Sequence, residues 1–118
     1  MPYELLKDWR TFRNGQAFPV VTIPFLPAEK FLGEILQACE QGLRPVYFWA
    51  TPEREAFAIY CVLADDETAS LFTARMKVSA GGSWPSLTLQ IPSFHIFERE
   101  IHENTGLTPE GHPWLKPV

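Results

Sequence analysis

The densest group of side chains capable of chemistry is His95, Glu98, Arg99, Glu100, His102 and Glu103. Imidazole and carboxylate together suit zinc or iron, so His95, Glu98 and His102 could be read as metal ligands. On a helix of about 3.6 residues per turn, His95, Glu98, Arg99 and His102 share one face. Their spacing is HxxExxxH, however, and not the HExxH that sets two histidines one turn apart. A solvated or partner-facing helix surface with i, i+4 pairs is the simpler reading, and no metal is expected. Nucleophilic chemistry finds no better footing. Cys39 and Cys61 have no adjacent histidine in the sequence, and Ser70, Ser79, Ser83, Ser86 and Ser93 all lie outside any GxSxG elbow. Gly81 and Gly82 make a pair but not a phosphate-cradling loop. Of the paired carboxylates, Asp65 and Asp66 fall in a turn, while Glu98 and Glu100 lie on the helix. The residues alone point to a domain with no catalytic centre of its own.

These side chains need elements to position them. Phe31, Leu32, Ile35, Leu36 and Cys39 recur on one face of a helix predicted over Ala28 to Gln41. Pro27 suits its start, Glu29 its positive end, and Gly42 its stop. Before it, Phe18 to Phe25 is apolar but broken by Pro19 and Pro24, so it is at most an edge strand. After Gly42 the period shortens to two. Val46 to Trp49 is aromatic and β-branched, with a turn at Thr51–Arg54. Ala56 to Ala64 is apolar on both faces, as in a central strand. In Ser70 to Val78, Phe72, Ala74, Met76 and Val78 alternate with Thr73, Arg75 and Lys77, which predicts a half-buried strand. Leu87, Leu89 and Ile91 alternate with Ser86, Thr88 and Gln90, which predicts a fourth. Ser93 then reads as the N-cap of a second helix with Phe94, Phe97 and Ile101 on its apolar stripe and Gly106 at its end. Short turns favour an antiparallel meander. The expected fold is α+β: two layers, a mainly antiparallel four-stranded sheet with helices packed on one face, and residues 107–118 as an extended tail.

Composition bounds the function from outside. The chain has 118 residues, which is one domain's worth, with 46% hydrophobic and 20% charged residues. Nine Phe, four Trp and three Tyr supply a well-packed core or an adhesive interface. Eleven prolines scatter as loop punctuation. A net charge of −4 argues against nucleic acid as a partner, since such binders carry a basic patch. No apolar run reaches the roughly 20 residues of a membrane span. The charged N-terminal stretch lacks the apolar core of a signal peptide, so a cytoplasmic location is expected, with Cys39 and Cys61 as buried thiols.

One stretch carries a further signal. In Phe97 to Val118, FEREIHENTGLTPEGHPWLKPV, Glu98, Arg99 and Glu100 form an E-R-E opening. Gly106 and Leu107 follow at the helix end, and Gly111, His112 and Pro113 close it. This pattern resembles the C-terminal signature of the 30 kDa subunit family of respiratory complex I, NADH:quinone oxidoreductase. The preceding SWPSLTLQIPSFHIFERE is similar to the hydrogenase branch, in which the domain belongs to, or accompanies, the large subunit of formate hydrogenlyase-type membrane-bound nickel–iron hydrogenases. Glu103 stands where the family usually has Asp, and Asn104 and Thr105 stand where apolar or aromatic residues are common. Complex I members continue past the closing triplet into a basic tail, so the stop at Val118 fits the hydrogenase branch or an excised domain.

The resemblance implies a non-catalytic scaffold subunit or domain without a cofactor of its own. It would dock on a large nickel–iron-hydrogenase-like subunit and an iron–sulfur small subunit, peripheral to the inner membrane on its cytoplasmic side. Two cysteines could not supply the four thiolates that a cluster normally takes. The expected partner-binding residues are Glu98, Arg99, Glu100, Gly106, Gly111, His112 and Pro113, with Trp114 and Leu115 as an apolar anchor. Two alternatives stand beside this: the equivalent subunit of NADH:quinone oxidoreductase, and a stand-alone metal-binding or protein-binding domain.

Overall fold

Residues 2–115 are described by the computed structural model. In chain order the elements are α1 (Pro2–Leu5), β1 (Arg10–Arg13), α2 (Ala28–Glu40), β2 (Arg44–Glu53), β3 (Ala56–Asp65), β4 (Ser70–Ser79), β5 (Ser83–Pro85), α3 (His95–Thr105) and β6 (Thr108–Glu110). Four strands form an antiparallel sheet in the order β1-β4-β3-β2. The α+β architecture is the expected one, but the fourth strand is not.

The strands β2, β3 and β4 follow from their alternation. β3 is central and buried on both faces, as its continuous apolar run requires. Glu53 pairs with Ala56, so the first turn is only Arg54-Glu55, with Glu55 at φ 50°. In the second turn Asp65 accepts from the Glu67 backbone N–H and the Thr68 hydroxyl, at 3.2 and 2.9 Å. The acidic residues there shape the turn as well as solvate it.

The inner face of the sheet carries Phe48, Ile59, Cys61, Leu63, Phe72, Ala74 and Met76, all buried. Both longer helices cover it. Phe31 and Ile35 of α2 are fully buried, and Phe94 and Ile101 close the other end. Aromatic contacts join the layers, with Phe31 stacked on Trp9 at 5.6 Å and Phe94 edge-on to Phe48 at 5.1 Å.

The outer face is less open than a half-buried strand implies. Thr73 and Arg75 are 2% and 8% exposed. Residues 18–25 cross this face as a strap, with a 3-10 turn at Val20–Thr22 and an isolated parallel bridge from Phe25 to Arg75 in place of an edge strand. Arg75 donates from Nε to the Ile23 carbonyl at 3.0 Å and from Nη1 to the Tyr60 hydroxyl at 3.1 Å. Its guanidinium lies 3.9 Å from the Phe25 ring centroid. The strap therefore buries an arginine that the alternation assigned to solvent.

The largest correction concerns residues 86–91. They form no strand; they turn, and Leu89 is 69% exposed. The sheet's fourth strand is β1, whose Arg10 pairs with Thr73 and Arg13 with Ser70. Ser93 does not cap α3 either. It lies inside a 3-10 turn, Pro92–Phe94, that runs directly into the helix without a side-chain cap. The expected tail is part of the fold at its start: Leu107 is fully buried, and β6 pairs in parallel with β5. Residues 116–118 of that tail lie outside the described residues.

Candidate partner-binding site

α3 ends where Gly106 adopts φ 76°, a left-handed turn that residues with a Cβ rarely take. The Gly106 N–H returns to the His102 carbonyl at 2.9 Å. The chain then reverses along β6, and Gly111, at φ 81°, brings His112 back over the start of α3. The two halves of the E-R-E and G-H-P signature thus meet in space.

They do not form one continuous patch. Glu98 is fully buried, and its carboxylate accepts four hydrogen bonds. Trp84 Nε1 and the Leu87 backbone N–H donate to Oε2 at 2.8 and 3.0 Å. The Ser86 and Thr88 hydroxyls donate to Oε1, both at 2.6 Å. Glu98 is the clamp that folds residues 84–88 around the helix, and it is enclosed by its own chain. Glu100 is exposed along a shallow groove between α3 and β2, beside Tyr47, Trp49, Phe97 and Asn104.

Arg99, His112 and Trp114 do come together. Arg99 Nη1 donates to His95 Nε2 at 3.2 Å, and the guanidinium sits 5.0 Å from the Trp114 ring centroid. The Trp114 backbone N–H donates to His112 Nδ1 at 2.9 Å, and His112 Nε2 donates to the His95 carbonyl at 3.3 Å. Trp114 is 52% exposed while Arg99 beneath it is 7% exposed. Gly111 and Pro113 flank this cluster and are exposed, as is Gly106 at the helix end. Trp114 therefore folds back onto α3, not onto the sheet, and keeps half its surface free.

The three side chains of the metal reading turn to different partners. His95 is directed to Arg99, Glu98 to residues 84–88, and His102 donates from Nδ1 to the Leu107 carbonyl at 2.8 Å. Among the described residues no three of His, Cys, Asp and Glu are grouped to hold a metal. Burial pushes the Cys39 thiol up to about 11 and Cys61 well above its ordinary value, so both are poor nucleophiles at neutral pH.

The partners of Glu98 escaped the sequence pattern. The signal was present in Ser86 and Thr88, turn-forming residues set between Pro85 and Pro92, which argue against a regular strand.

The fold is a small α+β domain in which the charged helix and the returning tail meet in one cluster. Residues 30–118 match the family model described as respiratory-chain NADH dehydrogenase, 30 Kd subunit, and the chain belongs to that family. Its membership makes it a subunit or domain of a complex I-related assembly. No curated protein matches the chain.

Proposed function

We propose that the chain is a non-catalytic scaffold subunit, or scaffold domain, of a complex I-related membrane-bound hydrogenase of the formate hydrogenlyase type. It docks on the large nickel–iron subunit and the iron–sulfur small subunit at the cytoplasmic face of the membrane. No helix among the described residues is long and apolar enough to cross a bilayer. The observation that carries the docking reading is the half-exposed Trp114 held over Arg99 where the two halves of the signature meet. Tryptophan and arginine are the residues most enriched among interface hot spots. The choice of the hydrogenase branch rests on the resemblance of residues 83–100.

The equivalent role in NADH:quinone oxidoreductase is the second reading, favoured by the description of the matching family. Affinity capture of the tagged chain from native membranes separates the two. A nickel–iron large subunit in the eluate supports the first, NADH-oxidising subunits support the second, and neither overturns both. Trp114→Ala should cut recovery of partners by about tenfold or more, while changing stability by less than about 1 kcal/mol. Undiminished recovery would remove Trp114 from the interface.

A further inference from the structure

The chain has three histidines, and all of them lie on α3 or the tail that returns to it. Their partners fix which ring nitrogen carries the proton. Arginine only donates, so His95 Nε2, 3.2 Å from Arg99 Nη1, is an acceptor and the His95 proton sits on Nδ1. The Trp114 backbone N–H also only donates, so His112 Nδ1 is an acceptor. A carbonyl oxygen only accepts, so His112 Nε2 donates to His95. With these partners the two rings carry their protons on opposite nitrogens. His102 differs: it donates from Nδ1 to Leu107, a bond that a second ring proton leaves intact.

We propose that His95 and His112 form a pH-operated latch, holding residues 112–115 on α3 while both rings are neutral and releasing them when the rings are protonated. A protonated imidazole donates from both nitrogens. At His112 this sets a donor against the Trp114 N–H. At His95 it sets a donor, and a positive charge, against Arg99. The two rings lie 6.2 Å apart, so two protons also repel each other across the tail.

Among the described residues the surrounding charges are few. On α3 they are Arg99, in direct contact; Glu98, whose oxygens are taken by residues 84–88; and Glu103, one turn beyond Arg99. On β6 there is Glu110, which accepts from the Ser83 hydroxyl. β5 and the Pro92–Phe94 turn contribute none. Release would carry Trp114 off Arg99 and expose the guanidinium. The latch concerns the same tail as the docking surface but needs no partner, so its failure leaves that reading standing.

Nitrogen-15 spectra of the purified chain test it. At about pH 8 the ring shifts should show the proton on Nδ1 of His95 and on Nε2 of His112. Between about pH 8 and about pH 5, protection of the Trp114 amide against hydrogen exchange should fall about tenfold or more. The Gly106 amide, bonded to the His102 carbonyl, is the internal control and should keep its protection. His112→Asn offers a side-chain oxygen near the Nδ1 position that does not titrate, so its Trp114 amide should stay protected at the acid end. If that variant is poorly folded, the unmodified chain decides alone. Opposite tautomer assignments, or unchanged Trp114 protection across the range, overturn the latch. A loss shared equally by Gly106 overturns it too, because the fold itself would then be the pH-sensitive element.

Discussion

Glu98 is the most deeply buried carboxylate among the described residues, and all its hydrogen bonds go to its own chain. A buried donor left without a partner costs about 1–3 kcal/mol. Glu98→Ala strands the indole of Trp84 and the backbone of Leu87, so urea unfolding should show a loss of at least about 3 kcal/mol. A loss below about 1 kcal/mol would mean that the loop finds other acceptors. Glu98→Gln should cost less than Glu98→Ala, because its amide oxygen can accept from Trp84 and Leu87 while its NH2 donates to the Ser86 and Thr88 hydroxyls. The cysteines give a pH test at the same scale. Burial raises the Cys39 thiol from 9.0 to about 11, so the folded chain holds that proton more tightly than the unfolded one. The stabilisation is fully present below the unfolded value and is lost as pH rises through the folded one. Stability should therefore decline between about pH 9 and about pH 11, and Cys39→Ala should flatten that decline without changing behaviour near neutrality. An identical alkaline slope in the variant would assign the loss to other groups, Cys61 first.

At the level of elements, Leu87 and Leu89 separate what local pattern can and cannot reveal. Both look like core positions of one alternating strand. Leu87 is 2% exposed and Leu89 is 69% exposed. Leu87→Ala should cost about 2–5 kcal/mol, whereas Leu89→Ala should change stability by less than about 0.5 kcal/mol. Equal losses in denaturant titrations would restore the strand. The helix α2 and strands β2, β3 and β4 were legible because burial on one face imposes a period, and the period is written in neighbouring residues. Residues 86–91 were not, because their shape is imposed by a carboxylate that arrives about ten residues later on another element. β1 was missed for a related reason. Four residues, Arg10–Arg13, are too few to show a period, and their pairing partner lies far along the chain. Of the expected site residues, Arg99, His112 and Trp114 lie together because the chain reverses at Gly106. Glu98 was read as surface because charge in a sequence normally means solvent.

The whole molecule depends on its C-terminal segment more than a loose tail would allow. Pro109 and Leu107 are buried, Thr108 N–H reaches the Gly82 carbonyl at 3.1 Å, and Ser86 N–H reaches Glu110 at 2.8 Å. A chain ending after Gly106 should therefore show a clearly lower thermal midpoint than the full chain. An unchanged midpoint would make the segment a passive appendage. The strand order β1-β4-β3-β2 has a kinetic consequence. The hairpins joining β2 to β3 and β3 to β4 close short loops, whereas β1 must find β4 across most of the sheet's sequence. Closing long loops is entropically slow, so refolding is expected to start in the β2–β3–β4 meander, with β1 and β6 added afterwards. Substitutions at Ile59 should then slow refolding, while substitutions at Phe12 should mainly speed unfolding. The cluster of Arg99, His112 and Trp114 would then be completed only as the last part of the chain folds.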